Sequence, residues 1–268
     1  MNIKNIFIGF LLLFAFTANA ARVDTLFIKS TSMNIEVKTI VVVPDIAIQQ
    51  KFQSCPVVYL LHGYMGNATS WIGIKPNLPQ IAEEKGIIFV CPDGKNSWYW
   101  DSPIKSDYRY ETFVAKELVQ FIDKTYHTKT DRKYRAITGL SMGGHGAFYL
   151  AFRHLDLFGS AGSMSGALDM SDYATDFDIA KLLGTYDKEK WFNYSAEKQI
   201  ENIKNGDINL IFDCGTSDFL FQKNIETHQL LLKKGIDHDF IVRPGAHTAE
   251  YWNNAIDYQI LFFSKIFK

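Results

Sequence analysis

One stretch limits the folds open to this chain more than any other. It runs from Arg135 to Leu150 and reads RAITGLSMGGHGAFYL, an apolar run followed by Gly-Leu-Ser-Met-Gly and then by small residues. An apolar strand that passes directly into a small-residue helix is typical of an α/β corner, where Gly139 and Gly143 allow a turn too tight for side chains. The pattern predicts that Ser141 lies on that turn. A glycine-rich corner without chemistry fits the same residues, so the rest of the chain has to distinguish the two.

Strand and helix patterns alternate around this stretch, from residue 56 to the end. Apolar runs typical of strands buried on both faces occupy residues 56–61 and 87–91, and further strand patterns occupy residues 158–164, 208–213 and 240–243. Helical patterns occupy residues 78–85, 111–126, 221–234 and 249–267. This order predicts an α/β fold with a mostly parallel, doubly wound central sheet flanked by helices. Ahead of it, residues 23–30 and 33–43 alternate apolar and polar side chains and predict two antiparallel strands at a sheet edge.

Size and charge bound the domain organisation and the partners. The chain has 268 residues, of which 47% are hydrophobic and 21% charged, so we expect residues 21–268 to form a single domain. The patterns weaken over residues 167–207, where we expect a lid inserted into that domain. The net charge is -1 and no basic block stands out, which predicts no nucleic-acid partner and favours a small, neutral substrate.

The first twenty residues have the pattern of a processing signal. Lys4 precedes an apolar run over residues 6–15, and Ala18-Asn-Ala20 is a small-x-small site suited to a signal peptidase. The apolar run is too short to span a membrane, so the sequence predicts a signal peptide over residues 1–20 and an exported protein, periplasmic or secreted, without a membrane anchor. Buried thiols are expected at the three cysteines, which have no framework spacing and lie in or beside apparent core strands: Cys55, Cys91 and Cys214.

Three residues that follow predicted strands supply the groups for nucleophilic catalysis. A serine hydroxyl is a weak nucleophile until a histidine accepts its proton, and the imidazole needs a carboxylate to fix its tautomer and stabilise its charge. Ser141, Asp218 and His247 occur in that order, each in a loop directly after a strand. Asp213 is an alternative acid. We favour Asp218, because it lies beyond the turn, where a side chain can reach across to the histidine.

Two further loops are candidate binding elements. Residues 92–103 follow a buried strand and contain Trp98, Tyr99 and Trp100, which could line a pocket for an apolar or sugar-like group or could cover the core edge. Residues 62–66 can turn so that the Tyr64 amide faces the nucleophile, although an ordinary glycine-rich turn fits them as well. We find neither a His-Glu-x-x-His pattern nor paired cysteines, and no dinucleotide or phosphate-binding motif. The sequence therefore predicts no metal and no cofactor.

Several motifs together resemble one family. They are Leu60-Leu-His-Gly-Tyr-Met-Gly66, Pro92-Asp-Gly with Asn96-Ser-Trp-Tyr and Asp101-Ser-Pro103, Tyr110-Glu-Thr, Thr138-Gly-Leu-Ser-Met-Gly-Gly144, Asp213-Cys-Gly-x-x-Asp218, and Pro244-Gly-Ala-His247-Thr with Tyr251-Trp252. This set is similar to the esterase D or feruloyl-esterase-like branch of the αβ hydrolases, which also holds S-formylglutathione hydrolases, acetyl xylan esterases and mycolyltransferases. The resemblance implies an αβ-hydrolase fold, a catalytic triad of Ser141, Asp218 and His247, and an oxyanion hole formed by the Tyr64 and Met142 amides.

Residues and resemblance together predict an exported serine carboxylesterase that works through an acyl-enzyme. Its expected substrates are small-molecule or oligosaccharide esters with short-chain or aromatic acyl groups, including the feruloyl or acetyl esters of plant polysaccharides. The glutathione-ester hydrolases of the family are usually cytosolic, so the signal-like N-terminus argues against that member. Two alternatives stay open: an acyltransferase that passes the acyl group to a sugar or lipid hydroxyl, and a non-catalytic carbohydrate-binding protein on a hydrolase scaffold.

Overall fold

The computed structural model describes residues 21–49, 53–171 and 177–268. The predicted signal peptide, residues 1–20, lies outside these ranges. Within them, eight strands form one sheet: β1 (Arg22–Ser30), β2 (Ile35–Val43), β3 (Val57–Leu61), β4 (Ile88–Pro92), β5 (Arg135–Gly139), β6 (Ser160–Met164), β7 (Asn209–Gly215) and β8 (Asp239–Arg243). Their order across the sheet is β1-β2-β4-β3-β5-β6-β7-β8.

The sheet combines an antiparallel edge with a parallel body. β1 and β2 form a hairpin, and β2 also pairs antiparallel with β4. The remaining neighbours among the described strands pair in parallel. The predicted antiparallel pair at the edge of a mostly parallel, doubly wound sheet is therefore confirmed. Because the parallel strands point the same way, the loops that follow them meet at one edge of the sheet.

The helices join these strands in the alternation that the sequence predicts. In the described chain they are α1 (Ile46–Gln49), α2 (Ser70–Ile74), α3 (Leu78–Lys85), α4 (Tyr110–Thr112), α5 (Val119–Thr125), α6 (Met142–Arg153), α7 (Ile179–Leu183), α8 (Lys188–Phe192), α9 (Ala196–Gln199), α10 (Phe221–Lys233) and α11 (Ala249–Ile266). The helix predicted over residues 111–126 is confirmed as a continuous run, with a π-helical segment, Phe113–Leu118, between α4 and α5. α3 ends at Gly86 as predicted, and this residue adopts the left-handed conformation (φ 63°) that favours glycine.

Two apolar cores fill the space between the sheet and its helices. On one face, the π-helical segment, α5, α6 and α10 pack against the sheet through residues such as Phe113, Ile122 and Phe148. On the other face, α2, α3 and α11 pack against it through residues such as Trp71 and Phe263. The sheet is therefore covered on both sides, and its carboxyl edge remains as the place where loops can form a site.

The segment between β6 and β7 contains α7, α8 and α9, which are all short. The helix predicted to begin at Ala196 is α9, extended only by a 3-10 turn, Ile200–Asn202. α9 packs against α6, and Trp191 of α8 is fully buried, so this part of the insertion belongs to the core. The proposed lid, residues 167–207, includes residues outside the described ranges, and its lid role stays a prediction.

The three cysteines lie in the protein interior. Cys55, Cys91 and Cys214 are all buried free thiols, as predicted. Burial raises the pKa of Cys55 to about 11, so its thiol stays protonated at neutral pH.

Among the described helices, none is both long and apolar enough to cross a membrane.

Candidate active site

Ser141 lies on a tight turn between β5 and α6. Its backbone has φ 54° and ψ -118°, a left-handed conformation that is strained for a non-glycine residue, and it immediately precedes the first residue of α6. Close packing explains the glycines on either side. A Cβ atom on Gly143 would lie 2.3 Å from the Leu61 carbonyl oxygen, and one on Gly139 would lie 2.5 Å from the Gly143 backbone. The sequence therefore forces the serine out of the strand and onto the exposed corner.

A hydrogen-bonded chain connects Ser141 to a histidine and a carboxylate. The Oγ atom of Ser141 lies 3.0 Å from Nε2 of His247. The Nδ1 atom of His247 lies 2.8 Å from Oδ2 and 3.1 Å from Oδ1 of Asp218. Ser141 follows β5, Asp218 follows β7 and His247 follows β8, so the three side chains meet at the carboxyl edge of the sheet. In this geometry the carboxylate can accept a hydrogen bond from an N–H on Nδ1, which leaves Nε2 free to accept the serine proton.

The surroundings of Asp218 favour its ionised form. Its side chain is buried, and Oδ1 also accepts a hydrogen bond from the Leu220 amide at 2.9 Å. Burial alone would raise the pKa of Asp218, but the hydrogen bonds from His247 and Leu220 outweigh it and hold that pKa below its ordinary value. A carboxylate beside His247 is thus available throughout the neutral range.

Asp213, the alternative acid, lies in a different environment. It is fully buried in β7, its Oδ2 accepts a hydrogen bond from the Gln259 side-chain amide at 2.9 Å, and its Oδ1 lies 3.5 Å from the Arg243 guanidinium. Burial raises the pKa of Asp213 to about 6, against the opposing effects of Gln259 and Arg243. Its partners belong to β8 and α11, so Asp213 joins the sheet to that helix, and Asp218 contacts the histidine.

Two backbone amides near Ser141 donate to no acceptor among the described residues. In the described part of the chain, neither the Tyr64 amide nor the Met142 amide donates to a backbone or side-chain group. Met142 begins α6, so its amide is one of the unpaired donors at the positive end of a helix. The preceding Gly63 packs on the same corner, because a Cβ atom placed there would lie 3.4 Å from the Ser141 Cβ. In the described chain both predicted donors are thus unpaired, and one directly follows Ser141 while the other directly follows Gly63, which packs on the same corner.

A pocket of about 480 Å³ opens beside Ser141 and His247. Its wall is mainly apolar, and the described lining residues include no acidic group, lysine or arginine. The lining residues include Tyr64, Met65, Trp98, Phe177, Phe219 and Trp252. Such a wall suits an uncharged, apolar or aromatic group.

The aromatic loop contributes only one of its three predicted residues to this wall. Trp98 lines the pocket, and its indole N–H donates to the Phe177 carbonyl at 3.0 Å. Tyr99 and Trp100 do not line the pocket and instead follow the second alternative, packing in the core, where both are fully buried. The Tyr99 hydroxyl donates to the His62 carbonyl at 3.1 Å, and the Trp100 indole donates to the Tyr194 carbonyl at 3.0 Å. Hydrogen bonds to core backbone turn these two side chains inward.

Sequence reasoning assigns no role to three residues near the site, although one of them, Trp252, stands in a family-like motif. Phe219 and Trp252 contact the His247 ring, with centroids 4.6 Å and 4.8 Å away. Oδ2 of Asp178 accepts a hydrogen bond from the Tyr64 hydroxyl at 2.8 Å. Phe219 directly follows the predicted acid and Trp252 is one helical turn into α11, and these positions were the available signals. Asp178 is far from any motif, and nothing in the sequence points to it. In the described ranges, no group of three or more metal-binding side chains occurs.

Comparison with known proteins gives the family and the fold of the chain. The family model described as "Putative esterase" matches residues 30–263. The acetyl esterase of Caldicellulosiruptor saccharolyticus is 27% identical over 243 residues, covering 83% of this chain and 89% of that protein. The endo-1,4-beta-xylanase/feruloyl esterase of Xylanibacter ruminicola is 34% identical over 167 residues, covering 59% of this chain and 23% of that protein. The solved structure of a ferulic acid esterase superposes with a TM-score of 0.81 at 29% identity, over 93% of this chain and 99% of that one. The αβ-hydrolase fold is thereby confirmed.

Proposed function

The chain belongs to the Esterase family and is a carboxylic ester hydrolase, and we propose that it cleaves aromatic or short-chain acyl esters through an acyl-enzyme on Ser141. The observation that carries this proposal is the 3.0 Å contact between Ser141 Oγ and His247 Nε2 at the mouth of an apolar pocket. Relatives that are an acetyl esterase and a xylanase/feruloyl esterase support an ester of a plant polysaccharide as substrate.

In the first half of the reaction, Ser141 attacks the ester carbonyl. Its hydroxyl proton passes to Nε2 of His247 while the Oγ to carbon bond forms, and the carbonyl electrons move onto the oxygen. The amides of Tyr64 and Met142 donate to that oxyanion. His247 then gives the proton to the leaving alcohol as the carbon to oxygen bond breaks, and the acyl group remains on Ser141.

In the second half, water replaces the alcohol. His247 takes a proton from water, the hydroxide adds to the acyl carbon, and Ser141 Oγ leaves with the proton as the carboxylic acid is released. Asp218 keeps a proton on Nδ1 of His247 and stabilises the imidazolium in both halves. Each group returns to its starting state, so neither a metal nor a cofactor enters the cycle.

The pocket wall supports the choice of acyl group. Because the described lining carries no charge, it favours an uncharged aromatic or alkyl group over a charged one. Phe177 is half-buried in this wall and can contact an aromatic acyl group such as a feruloyl group, while Trp98, which is 2% exposed and stacked on Trp100, borders the pocket with a small part of its indole. We further propose that the protein acts after export, which the signal-like first twenty residues support.

A substrate panel with a labelling control tests the proposal. The panel contains p-nitrophenyl acetate, methyl ferulate, and acetylated and feruloylated xylan oligosaccharides. Each is an acetyl or aromatic ester, so the protein should hydrolyse at least one of these classes. A fluorophosphonate should label the wild type and a Ser264→Ala variant, which loses only a hydroxyl bonded to the Ile260 carbonyl, but should not label Ser141→Ala. Labelling or turnover that persists in Ser141→Ala would contradict the proposal.

A further inference from the structure

A tyrosine of the predicted oxyanion loop is tied to the insertion between β6 and β7. The Tyr64 hydroxyl donates to Oδ2 of Asp178 at 2.8 Å. Asp178 immediately precedes α7, 114 positions along the chain from Tyr64. The Lys181 ammonium and the Tyr64 hydroxyl lower the pKa of Asp178, which keeps the acceptor ionised. A charge-assisted bond of this kind connects two segments that are otherwise remote in sequence.

A second tether reaches the next residue of the same loop. The Met65 amide donates to Oδ1 of Asn96 at 2.8 Å, and Nδ2 of Asn96 lies 3.5 Å from the same Asp178 oxygen that binds Tyr64. Asp178 therefore meets the side chain of Tyr64 directly and the backbone of Met65 through Asn96. The Tyr64 amide precedes the Met65 amide by one peptide unit, so the two tethers act at the Tyr64 side chain and at the following amide and constrain the direction of the Tyr64 amide from there.

Strained backbone surrounds these contacts. Met65, Trp98, Phe177 and Asp178 all have positive φ, between 57° and 62°, although none is glycine. Such conformations persist where the surroundings determine them, and they cluster at functional sites. Here the Phe177 ring meets the Tyr64 ring edge to face at 5.4 Å, and the Phe177 carbonyl accepts the Trp98 indole N–H. The insertion is thus fixed to the oxyanion loop and to the pocket wall at the same point.

From this arrangement we infer that Asp178 is a positioning residue for ester hydrolysis: through Tyr64 and Asn96 it holds the Tyr64 amide in the direction that the oxyanion needs. The inference rests on the proposed function, because it assumes that the Tyr64 amide stabilises charge in the transition state. Substrate does not contact Asp178 in this account. Losing the contact should therefore weaken transition-state binding and leave ground-state binding almost unchanged.

Three variants test the contact. Tyr64→Phe removes the hydroxyl, and Asp178→Gly removes the carboxylate at a residue with φ 60°, where glycine fits without strain. Asp178→Asn is the conservative variant, because asparagine tolerates this conformation and its amide oxygen still accepts the Tyr64 hydrogen bond. Tyr186→Phe is the matched control, since its hydroxyl also bonds within the insertion, to the Ser171 carbonyl at 2.9 Å.

The readouts separate positioning from stability. Steady-state kinetics on an aromatic ester give kcat and KM, and an aryl boronic acid reports binding of a tetrahedral adduct. Loss of one oxyanion donor costs about a hundred- to a thousandfold in kcat, and misdirecting one costs less. We expect Tyr64→Phe and Asp178→Gly to lower kcat by roughly tenfold, with KM within about twofold and boronate affinity reduced by a similar factor. Asp178→Asn should recover most of kcat, and Tyr186→Phe should match the wild type.

Two results would overturn the inference. The first is that Tyr64→Phe and Asp178→Gly both keep the wild-type kcat and boronate affinity. The contact would then only fix the insertion in place, even if both variants had a lower melting temperature. The other is an increase in KM at constant kcat, which would make Tyr64 a substrate contact. If Asp178→Gly does not fold, Tyr64→Phe alone carries the test. Failure of the proposed function is distinguishable, because Ser141→Ala would then retain turnover.

Discussion

Phe219 lies against the imidazole of His247, with ring centroids 4.6 Å apart and an interplanar angle of 51°, although 63% of its surface is exposed. An exposed phenyl ring gains little from the core, so its position beside the imidazole calls for another explanation. The Trp252 ring also meets His247, edge to face at 4.8 Å. The imidazole therefore contacts two aromatic rings as well as Asp218.

We expect Phe219 to stabilise the imidazolium that forms when His247 takes the serine proton. A cation beside an aromatic ring gains about 0.5–1 kcal/mol at an exposed site, so Phe219→Ala should lower kcat by roughly two- to fivefold. Phe219→Tyr keeps the ring and should retain the wild-type rate. Phe27→Ala is the control, because Phe27 is equally exposed (62%) but lies on the distant edge strand β1. Equal rates for Phe219→Ala and Phe27→Ala would exclude this role.

The proposed triad predicts strongly non-additive mutations. Removing any member leaves only binding and oxyanion stabilisation, so Ser141→Ala and His247→Ala should each lower kcat by about a thousandfold or more. The double variant should have a kcat only slightly below that of either single variant, because once Ser141 or His247 is removed the other has no partner for proton transfer. Single-turnover assays on p-nitrophenyl acetate give these rates, and circular dichroism checks the fold. Multiplying losses would show that the two residues act independently.

The two candidate acids predict opposite outcomes. Asp218→Asn keeps the shape but favours the wrong imidazole tautomer, so kcat should fall by several orders of magnitude with KM little changed. Asp213→Asn acts at the contacts with Gln259 and Arg243, so its effect should be mainly on the melting temperature. Kinetics and thermal denaturation of both variants decide the matter. A collapse of kcat in Asp213→Asn with normal activity in Asp218→Asn would reverse the assignment.

The sequence predicts those parts of the site that local geometry determines. The turn at Ser141 follows from glycines packed within van der Waals distance of the Leu61 carbonyl, and that constraint is visible in the spacing of Gly139 and Gly143. The order of Ser141, Asp218 and His247 follows from parallel strands whose loops share one sheet edge. The fold and the candidate triad can both be predicted, because the position of each strand and of each triad residue is determined by its own strand and turn.

The parts that sequence reasoning misses depend on contacts between distant segments. Tyr99 and Trp100 have the same composition signal as Trp98, but hydrogen bonds to the backbones of His62 and Tyr194 turn them inward. The partner of Trp100 lies 94 positions away, in the insertion. Neither strand alternation nor helical spacing predicts a contact between such distant residues, so the sequence alone cannot tell which of the three aromatic side chains lines the pocket. The Tyr64 to Asp178 bond is hidden for the same reason.

The aromatic loop allows two neighbouring tryptophans to be compared, one that lines the pocket and one that is buried in the core. Trp98→Ala removes pocket wall, so it should raise KM for an aromatic ester much more than for an acetyl ester, because the lost contact is with the remote part of the substrate. Trp100→Ala opens a cavity beneath the pocket and should lower stability by about 3–5 kcal/mol, with similar kinetic losses on both esters. Initial rates on methyl ferulate and p-nitrophenyl acetate, with urea unfolding, separate the two effects. Identical profiles for both variants would remove Trp98 from the acyl-binding wall.

His145 predicts an acid-sensitive core directly beneath this wall. It is fully buried on α6, its Nε2 bonds to the Tyr194 carbonyl at 3.0 Å, and its ring contacts Trp98 and Trp100 edge to face. Burial lowers the pKa of His145 from 6.5 to about 4, and the bond to Tyr194 only partly opposes it. Between these two values the unfolded chain binds a proton that the native state excludes, so stability is complete above pH 6.5 and is lost as the pH falls towards 4.

This linkage gives a measurable difference between pH 7 and pH 5. His145 should account for a loss of about 2 kcal/mol in the free energy of unfolding over that range, because each unit of pKa shift is worth about 1.4 kcal/mol and the unfolded state is mostly protonated at pH 5. His145→Gln keeps a donor for the Tyr194 carbonyl but does not titrate, so it should lose that much less between the two pH values, even if it is less stable at both. Urea unfolding of the two proteins at each pH provides the comparison, and contributions from other groups such as Asp213 cancel in it. The same pH dependence in both proteins would show that His145 does not carry the effect.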